Sequence, residues 1–333
     1  MVARIQKAMV LATLLAMALW WHWAAPHSPG WALAGVALPL LLHASVLGLQ
    51  FVLMQRANVR AHAHARAAAS GSDGTGTRGS GSAIGKAGGR LPAPLASGAQ
   101  QLRAWGAEVG ASLRLFCWHQ PFRSQAEPDL LVAPGAARPG PPLRGVVLVH
   151  GFLCNRGVWR PWLRALRARG QVCEAVNLEP MLGGIDDYVP TLDAAVQRAT
   201  RLTGRAPVLV CHSMGGLVAR AWLRSVQDDA RVHRVITLAT PHQGTALADF
   251  AYSPNGRQMQ VGGDWLALLQ AAESPQRAAL FTCWYSNCDN IVFPSHTATL
   301  PGADNRLLPG AAHVQMATHP QVLQVCLDEL ARD

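Results

Sequence analysis

Two long uncharged stretches open the chain. Residues 8–25, AMVLATLLAMALWWHWAA, and residues 31–54, WALAGVALPLLLHASVLGLQFVLM, contain no Asp, Glu, Lys or Arg. A helix needs about 20 apolar residues to cross the hydrocarbon core of a bilayer, so both predict membrane-spanning helices, the first near the short limit. The polar turn PHSPG separates them, and Trp20, Trp21, Trp23 and Trp31 flank it. Indole rings favour the headgroup level, so these four mark one interface of a helical hairpin over residues 1–58. Residues 59–99 are rich in Ala, Gly and Ser and carry few large apolar side chains, a composition that predicts a flexible linker.

From about residue 100 the pattern changes. QLRAWGAEVGASLRLFCW predicts a short helix leading into a strand. Short β-branched runs then alternate with amphipathic segments. GVVLVHG, VCEAVNL, PVLVCHS, RVITLAT and LFTCWYS predict buried strands. NRGVWRPWLRALRARG, IDDYVPTLDAAVQRATRL, GGLVARAWLRSV and QVLQVCLDEL predict helices. The alternation predicts an α/β domain over 100–333, with a mostly parallel sheet covered by helices on both faces. Ligands bind beyond the carboxyl ends of such strands.

Charge refines this picture. The formal net charge is +10 over 333 residues. Through residue 125 there are eleven Lys and Arg against Asp73 and Glu108; from 126 onward eighteen Arg face seventeen acids. The excess belongs to the N-terminal third and accompanies the apolar stretches, which argues for a membrane surface and against nucleic acid. Arg4 and Lys7 precede the first stretch, and Arg56, Arg60 and Arg66 follow the second. The positive-inside rule puts both ends, and the α/β domain, on the cytoplasmic side of a bacterial-type inner membrane. A cleaved signal peptide is the rival, although no A-x-A site stands directly before PHSPG; even then the second stretch would stop transfer and leave the domain inside, and a periplasmic domain requires one stretch to fail to span. Seven cysteines without a C-x-x-C pair give no metal-finger spacing, and no metal or cofactor is expected.

Candidate chemistry centres on APVLVCHSMGGLVARAW, residues 206–222. A strand stops at Ser213 and a helix begins at once, as in a nucleophile elbow. Small residues two before and two after the serine let strand and helix pack closely. Gly215 fills one place; Cys211 replaces the usual glycine at the other, and His212 sits between Cys211 and the serine. The demand at 211 is for little bulk rather than for positive φ, so cysteine is expected to be tolerated. Asp289 lies just past the run LFTCWYS, and His313 follows a short strand and a glycine turn. Both are expected at the sheet edge of Ser213, with His313 as the base and Asp289 as its orienting acid. His296 follows Asp289 too closely to come from another strand end, His319 adjoins Pro320, and Asp304 precedes its strand.

With these residues the chain resembles the α/β-hydrolase superfamily. VLVHGF, CHSMGGLVAR and TLATPHQGT are similar to the corresponding stretches of bacterial triacylglycerol lipases and related esterases, over roughly residues 140–325. The resemblance implies hydrolysis of carboxylic esters through a covalent acyl-enzyme, with lipophilic acyl esters as substrates. It implies an oxyanion hole from the backbone N–H groups of Phe152 and Met214, with His150 and Gly151 shaping the loop. Many secreted lipases carry a calcium-binding aspartate two residues after the histidine; here Gln315 stands there. Residues 241–280 join two strands and are too long for a plain connection, so DWLALLQAA within them is the candidate lid. A thioesterase, phospholipase or acyltransferase on the same residues, or a non-catalytic membrane scaffold, stays open. No specific protein partner is expected.

Overall fold

The structure is a computed structural model and describes residues 1–71, 93–132 and 143–332. Six strands, β1 (Val146–Val149), β2 (Cys173–Ala175), β3 (Val208–His212), β4 (Arg234–Leu238), β5 (Phe281–Tyr285) and β6 (Asp304–Leu307), form one sheet in the order β2-β1-β3-β4-β5-β6. Every pairing is parallel. Helices α1 (Val2–Ala24), α2 (Pro29–Gly71), α3 (Gly98–Arg114) and α4 (Gln120–Arg123) precede the sheet. Within and after it come α5 (Arg160–Ala168), α6 (Val189–Thr203), α7 (Met214–Val226), α8 (Pro254–Arg257), α9 (Asp264–Ala271), α10 (Pro275–Ala278), α11 (His313–Ala317) and α12 (Pro320–Leu330).

Side chains alternate across each strand and so supply two cores. Val147, Val149, Leu209, Cys211 and Val235 meet Leu192 and Val196 of α6, Leu217 and Val218 of α7, and Leu266 and Leu269 of α9. On the opposite face Val146, Leu148, Val208, Val210 and Ile236 meet Trp162 and Leu166 of α5 and Val322 and Leu327 of α12. This is the expected parallel sheet with helices on both faces.

α1 and α2 are long and apolar enough to cross a membrane, and few residues of their apolar windows are buried. That exposure sets them apart from buried core helices. They lie antiparallel and in contact: a Cβ on Gly35 would come within 1.9 Å of Trp20 Nε1, and this indole donates to the Trp31 carbonyl at 3.0 Å. α2 runs past the expected end of its apolar stretch at 54, because QRANVRAHAHARAAA is rich in alanine and arginine, both strong helix formers. Residues 59–71 of the expected linker are therefore helical; residues 72–92 lie outside the described residues.

The strand expected after the helix near residue 100 is absent. α3 instead passes through a π turn, Leu115–His119, into α4. Pro121 has no N–H to offer the carbonyl four residues back, and the wider turn bridges that gap. A third cluster joins Phe51 and Met54 of α2 to Ala104 of α3 and to Cys288, Phe293 and Ala312 beyond the strands.

Candidate active site

β3 ends at His212 and α7 starts at Met214, so Ser213 must turn the chain in one residue. It does so at φ 54°, ψ −129°, a conformation that L-residues rarely adopt. The surroundings hold it there. The Ser213 N–H donates to the Leu238 carbonyl at 2.8 Å, and the Thr240 hydroxyl donates to the Ser213 carbonyl at 2.8 Å. Close packing explains the glycines. A Cβ on Gly215 would lie 2.4 Å from the Val149 carbonyl oxygen, and one on Gly151 would lie 2.7 Å from Ser213 Cβ. Cys211 pairs with Val149 and Thr237 in register and is fully buried in the α6–α7 core, so its thiol fills space on the sheet face, away from the tight turn.

The structure brings Ser213, His313 and Asp289 together. His313 Nε2 is 3.0 Å from Ser213 Oγ, and its Nδ1 is 3.0 Å from both Asp289 oxygens. All three are buried. Asp289 lies four residues beyond β5, where its Oδ1 accepts the N–H groups of Ile291 and Val292 at 2.9 and 2.8 Å. His313 opens α11 after β6, and its N–H donates to Asn290 Oδ1 at 3.2 Å. Burial alone would lower the His313 pKa; the Asp289 charge and hydrogen bond and the Glu108 charge outweigh it and raise the pKa above its ordinary value of 6.5. Asp304, the rejected alternative, begins β6 and pairs with Arg306 at 2.7 Å.

The two neighbouring histidines are structural in contact and neutral in charge. Leu178 N–H donates to His150 Nε2 at 3.1 Å, so Nδ1 carries the proton and donates to the Gly151 carbonyl at 2.9 Å. Burial pushes the His150 pKa down to about 4. His212 Nε2 donates to the His313 carbonyl at 3.1 Å, and its ring packs 4.8 Å from the His313 ring. Burial pushes its pKa down to about 3. Met214 is the first residue of α7, where a backbone N–H has no intrahelical acceptor. Phe152 follows Gly151 on the loop beside Ser213 and is half-buried.

Sequence reasoning missed the supports around these residues. Glu108 of α3 is buried, and its carboxylate accepts Val314 N–H at 2.8 Å and Gln315 N–H at 3.1 Å, gripping the start of the helix that His313 opens. Burial pushes its pKa up to about 7, against the pull of those N–H groups and of His313. A signal was present: Glu108 sits midway between Ala104 and Ser112 at helical spacing, on the face that packs inward. Arg220 of α7 forms a buried bidentate pair with Glu273, at 2.6 and 2.7 Å, and also donates to the His242 carbonyl at 2.6 Å. The TPHQGT stretch is thereby fixed, and with it Thr240 under Ser213. α9 lies against α7 in the same region, with Leu266 and Leu269 buried and Leu268 exposed. Among the described residues, no three His, Cys, Asp or Glu side chains converge as metal ligands would, and all seven cysteines are free thiols.

A family model described as the alpha/beta hydrolase family matches residues 146–324. Among solved structures, the mature form of a Bacillus licheniformis lipase is 20% identical, with a TM-score of 0.52 over 60% of this chain and 96% of that one. An Aspergillus fumigatus lipase B is 18% identical, with a TM-score of 0.51 over 60% of this chain and 55% of that one. At these identities the likeness concerns the fold. The match spans more than half of the chain and contains the whole six-stranded sheet with Ser213, Asp289 and His313 at its carboxyl edge, and the chain belongs to the alpha/beta hydrolase family.

Proposed function

We propose that this protein is a membrane-anchored serine hydrolase that cleaves carboxylic esters of lipophilic acyl chains. The observation that carries the reading is the continuous contact from Ser213 Oγ through His313 to Asp289, each step 3.0 Å. His313 Nε2 takes the Ser213 proton as Oγ attacks the ester carbonyl carbon. The carbonyl oxygen becomes an anion held by the N–H groups of Phe152 and Met214. The tetrahedral intermediate collapses, the C–O bond to the alcohol breaks, and the imidazolium gives that alcohol its proton. Water then attacks the acyl-serine with the same base and releases the acid and free Ser213. Asp289 holds the imidazole with Nδ1 protonated and steadies its charged form.

α1 and α2 serve as a hairpin anchor in this reading. The Lys and Arg at both ends of the pair support a cytoplasmic catalytic domain. Residues 241–280 wall the acyl pocket. Labelling with a fluorophosphonate tests the nucleophile: the native protein should label and Ser213→Ala should not. Equal labelling would remove Ser213 from the mechanism. A panel of esters and thioesters of rising chain length, with added alcohol acceptors, then separates ester hydrolysis from thioesterase and transferase activity; thioesters turned over faster than matched esters would replace the ester reading.

A further inference from the structure

The apolar helices touch the active site itself. Gln50 of α2 accepts Asn290 Nδ2 at 2.8 Å, and Asn290 in turn accepts the His313 N–H. Phe51 and Met54 bury themselves against Cys288, Phe293 and Ala312, next to Asp289 and His313 in the chain. Asn58 accepts Ser295 N–H at 2.8 Å. On the other flank Gln6 of α1 donates to the Leu153 carbonyl at 3.2 Å, in the loop that carries Phe152.

The same turns of α2 have a second face. Val46, Leu49 and Val52 point outward and are exposed. At 1.5 Å per residue, 31–52 rises about 33 Å, enough for a hydrocarbon core of about 30 Å; 31–42 alone rises about 18 Å and is too short. The turns needed to complete the span are therefore the turns docked on the loops beyond β5. Those loops must lie at the bilayer boundary.

A further group of apolar side chains is exposed on the segments beyond the strand ends. Ala246 and Leu247 pack on the cluster containing Phe51 and Met54. A few residues on, Phe250 is 73% exposed and Tyr252 89%. Asn255 donates to the Met181 carbonyl at 3.1 Å and so brings exposed Leu182 alongside. Exposed Leu153 completes the set next to Gln6. All four lie on segments that follow the carboxyl ends of β1, β2 and β4. Isolated exposed apolar residues are ordinary; a set at the strand ends that carry Ser213 and His313, in a chain with two long apolar helices, has a lipid surface as its natural cover.

We infer that α1 and α2 seat the catalytic mouth in the bilayer boundary, with Leu153, Leu182, Phe250 and Tyr252 in the headgroup region, and that the acyl ester enters laterally from the leaflet bearing the catalytic domain. The inference rests on the reading of the protein as a membrane-anchored ester hydrolase and specifies where its substrate resides. Ester carbonyls of bilayer lipids lie near the headgroup–acyl boundary, so a mouth at that depth meets them without extracting the whole molecule into water.

The test uses the full chain in phosphatidylcholine vesicles. Phe250→Cys, in a Cys117→Ser background that removes the exposed thiol, carries an environment-sensitive fluorophore. Ser225→Cys, near the far end of α7 and about 18 Å along the helix from Ser213, is the control. The label at 250 should shift to the blue and be quenched several-fold by doxyl-labelled lipid, while the label at 225 should not. An acylglycerol probe in the same vesicles should be hydrolysed at least about tenfold faster than the same probe in separate vesicles, as confinement to one surface requires. Equal quenching at the two positions, or equal rates from both vesicle populations, would overturn the inference. A soluble short-chain ester reports on the chemistry separately: unchanged turnover in Ser213→Ala would sink the hydrolase reading and leave the quenching result standing.

Discussion

The carboxylate of Glu108 accepts the backbone N–H of Val314 at 2.8 Å, one residue beyond His313. Glu108 lies on α3, outside the segment that matches the family, yet it fixes the turn from which His313 reaches Ser213. Its charge is also among the causes that raise the His313 pKa. Glu108→Gln leaves one carbonyl oxygen for two N–H donors, at a cost of about 1–3 kcal/mol for the group left unpaired. The expected outcome is a fall in kcat of roughly tenfold with KM little changed, and an acid limb moved to lower pH. A purely structural role would lower kcat without moving the limb, so the pH profile decides.

The native pH profile follows from the same charges. In the proposed mechanism His313 must be neutral at Nε2 to take the serine proton, so kcat/KM should fall as pH drops through its pKa. Burial acts to lower that pKa, but Asp289 and Glu108 raise it above 6.5. The half-maximal point of the acid limb should accordingly lie above 6.5. Because Glu108 is itself pushed up to about 7, the limb belongs to the coupled pair. A limb centred below 6.5, measured on a soluble ester, would contradict this account.

Asp289→Asn keeps the shape but presents an amide to Nδ1 and favours the wrong imidazole tautomer. A loss of about 10⁴ in kcat is expected by analogy with enzymes known to use a Ser-His-Asp triad. Fluorophosphonate labelling should slow in parallel while the melting temperature moves little. Retained activity within a few-fold would remove Asp289 from its assigned role.

Arg220 and Glu273 form an almost fully buried pair. Glu273→Ala strands a charged guanidinium and should cost about 3–5 kcal/mol. Replacing both, as Arg220→Met with Glu273→Leu, should recover much of that loss. Thermal unfolding in matched detergent checks both. A double variant no more stable than Glu273→Ala would show that the His242 carbonyl contact, rather than the pair, holds this region.

Gly215 and Cys211 occupy equivalent-looking places in the elbow and should respond oppositely. Gly215→Ala drives a Cβ to within 2.4 Å of the Val149 carbonyl oxygen and must push the strand and helix apart. Cys211→Gly removes a buried side chain from the core and should destabilise without displacing Ser213. Labelling rate and thermal unfolding separate the two: Gly215→Ala loses labelling, whereas Cys211→Gly loses stability first.

The expected strands and helices of the α/β domain were legible because each carries its own periodicity: Val208 to Cys211 reads as a strand, and Leu217 to Leu223 as a helix, with no knowledge of the rest. The strand near 115 was misread because LRLFCW is apolar without a clear period, and the effect of Pro121 on a helix depends on what that helix packs against. The end of α2 was misplaced because its apolar stretch ends near 54 while the tendency of alanine and arginine to stay helical does not.

By itself the sequence determined the alternating α/β pattern, the two uncharged helices and the residue types that chemistry of this kind uses, since periodicity and composition are local properties. The tertiary structure alone decided that Glu108 grips the turn after His313, that Arg220 finds Glu273, and that Gln50 of an apolar helix bonds to Asn290 beside the active site. Those contacts join residues far apart in the chain, and which donor meets which acceptor is fixed only when helices and sheet pack around a common core.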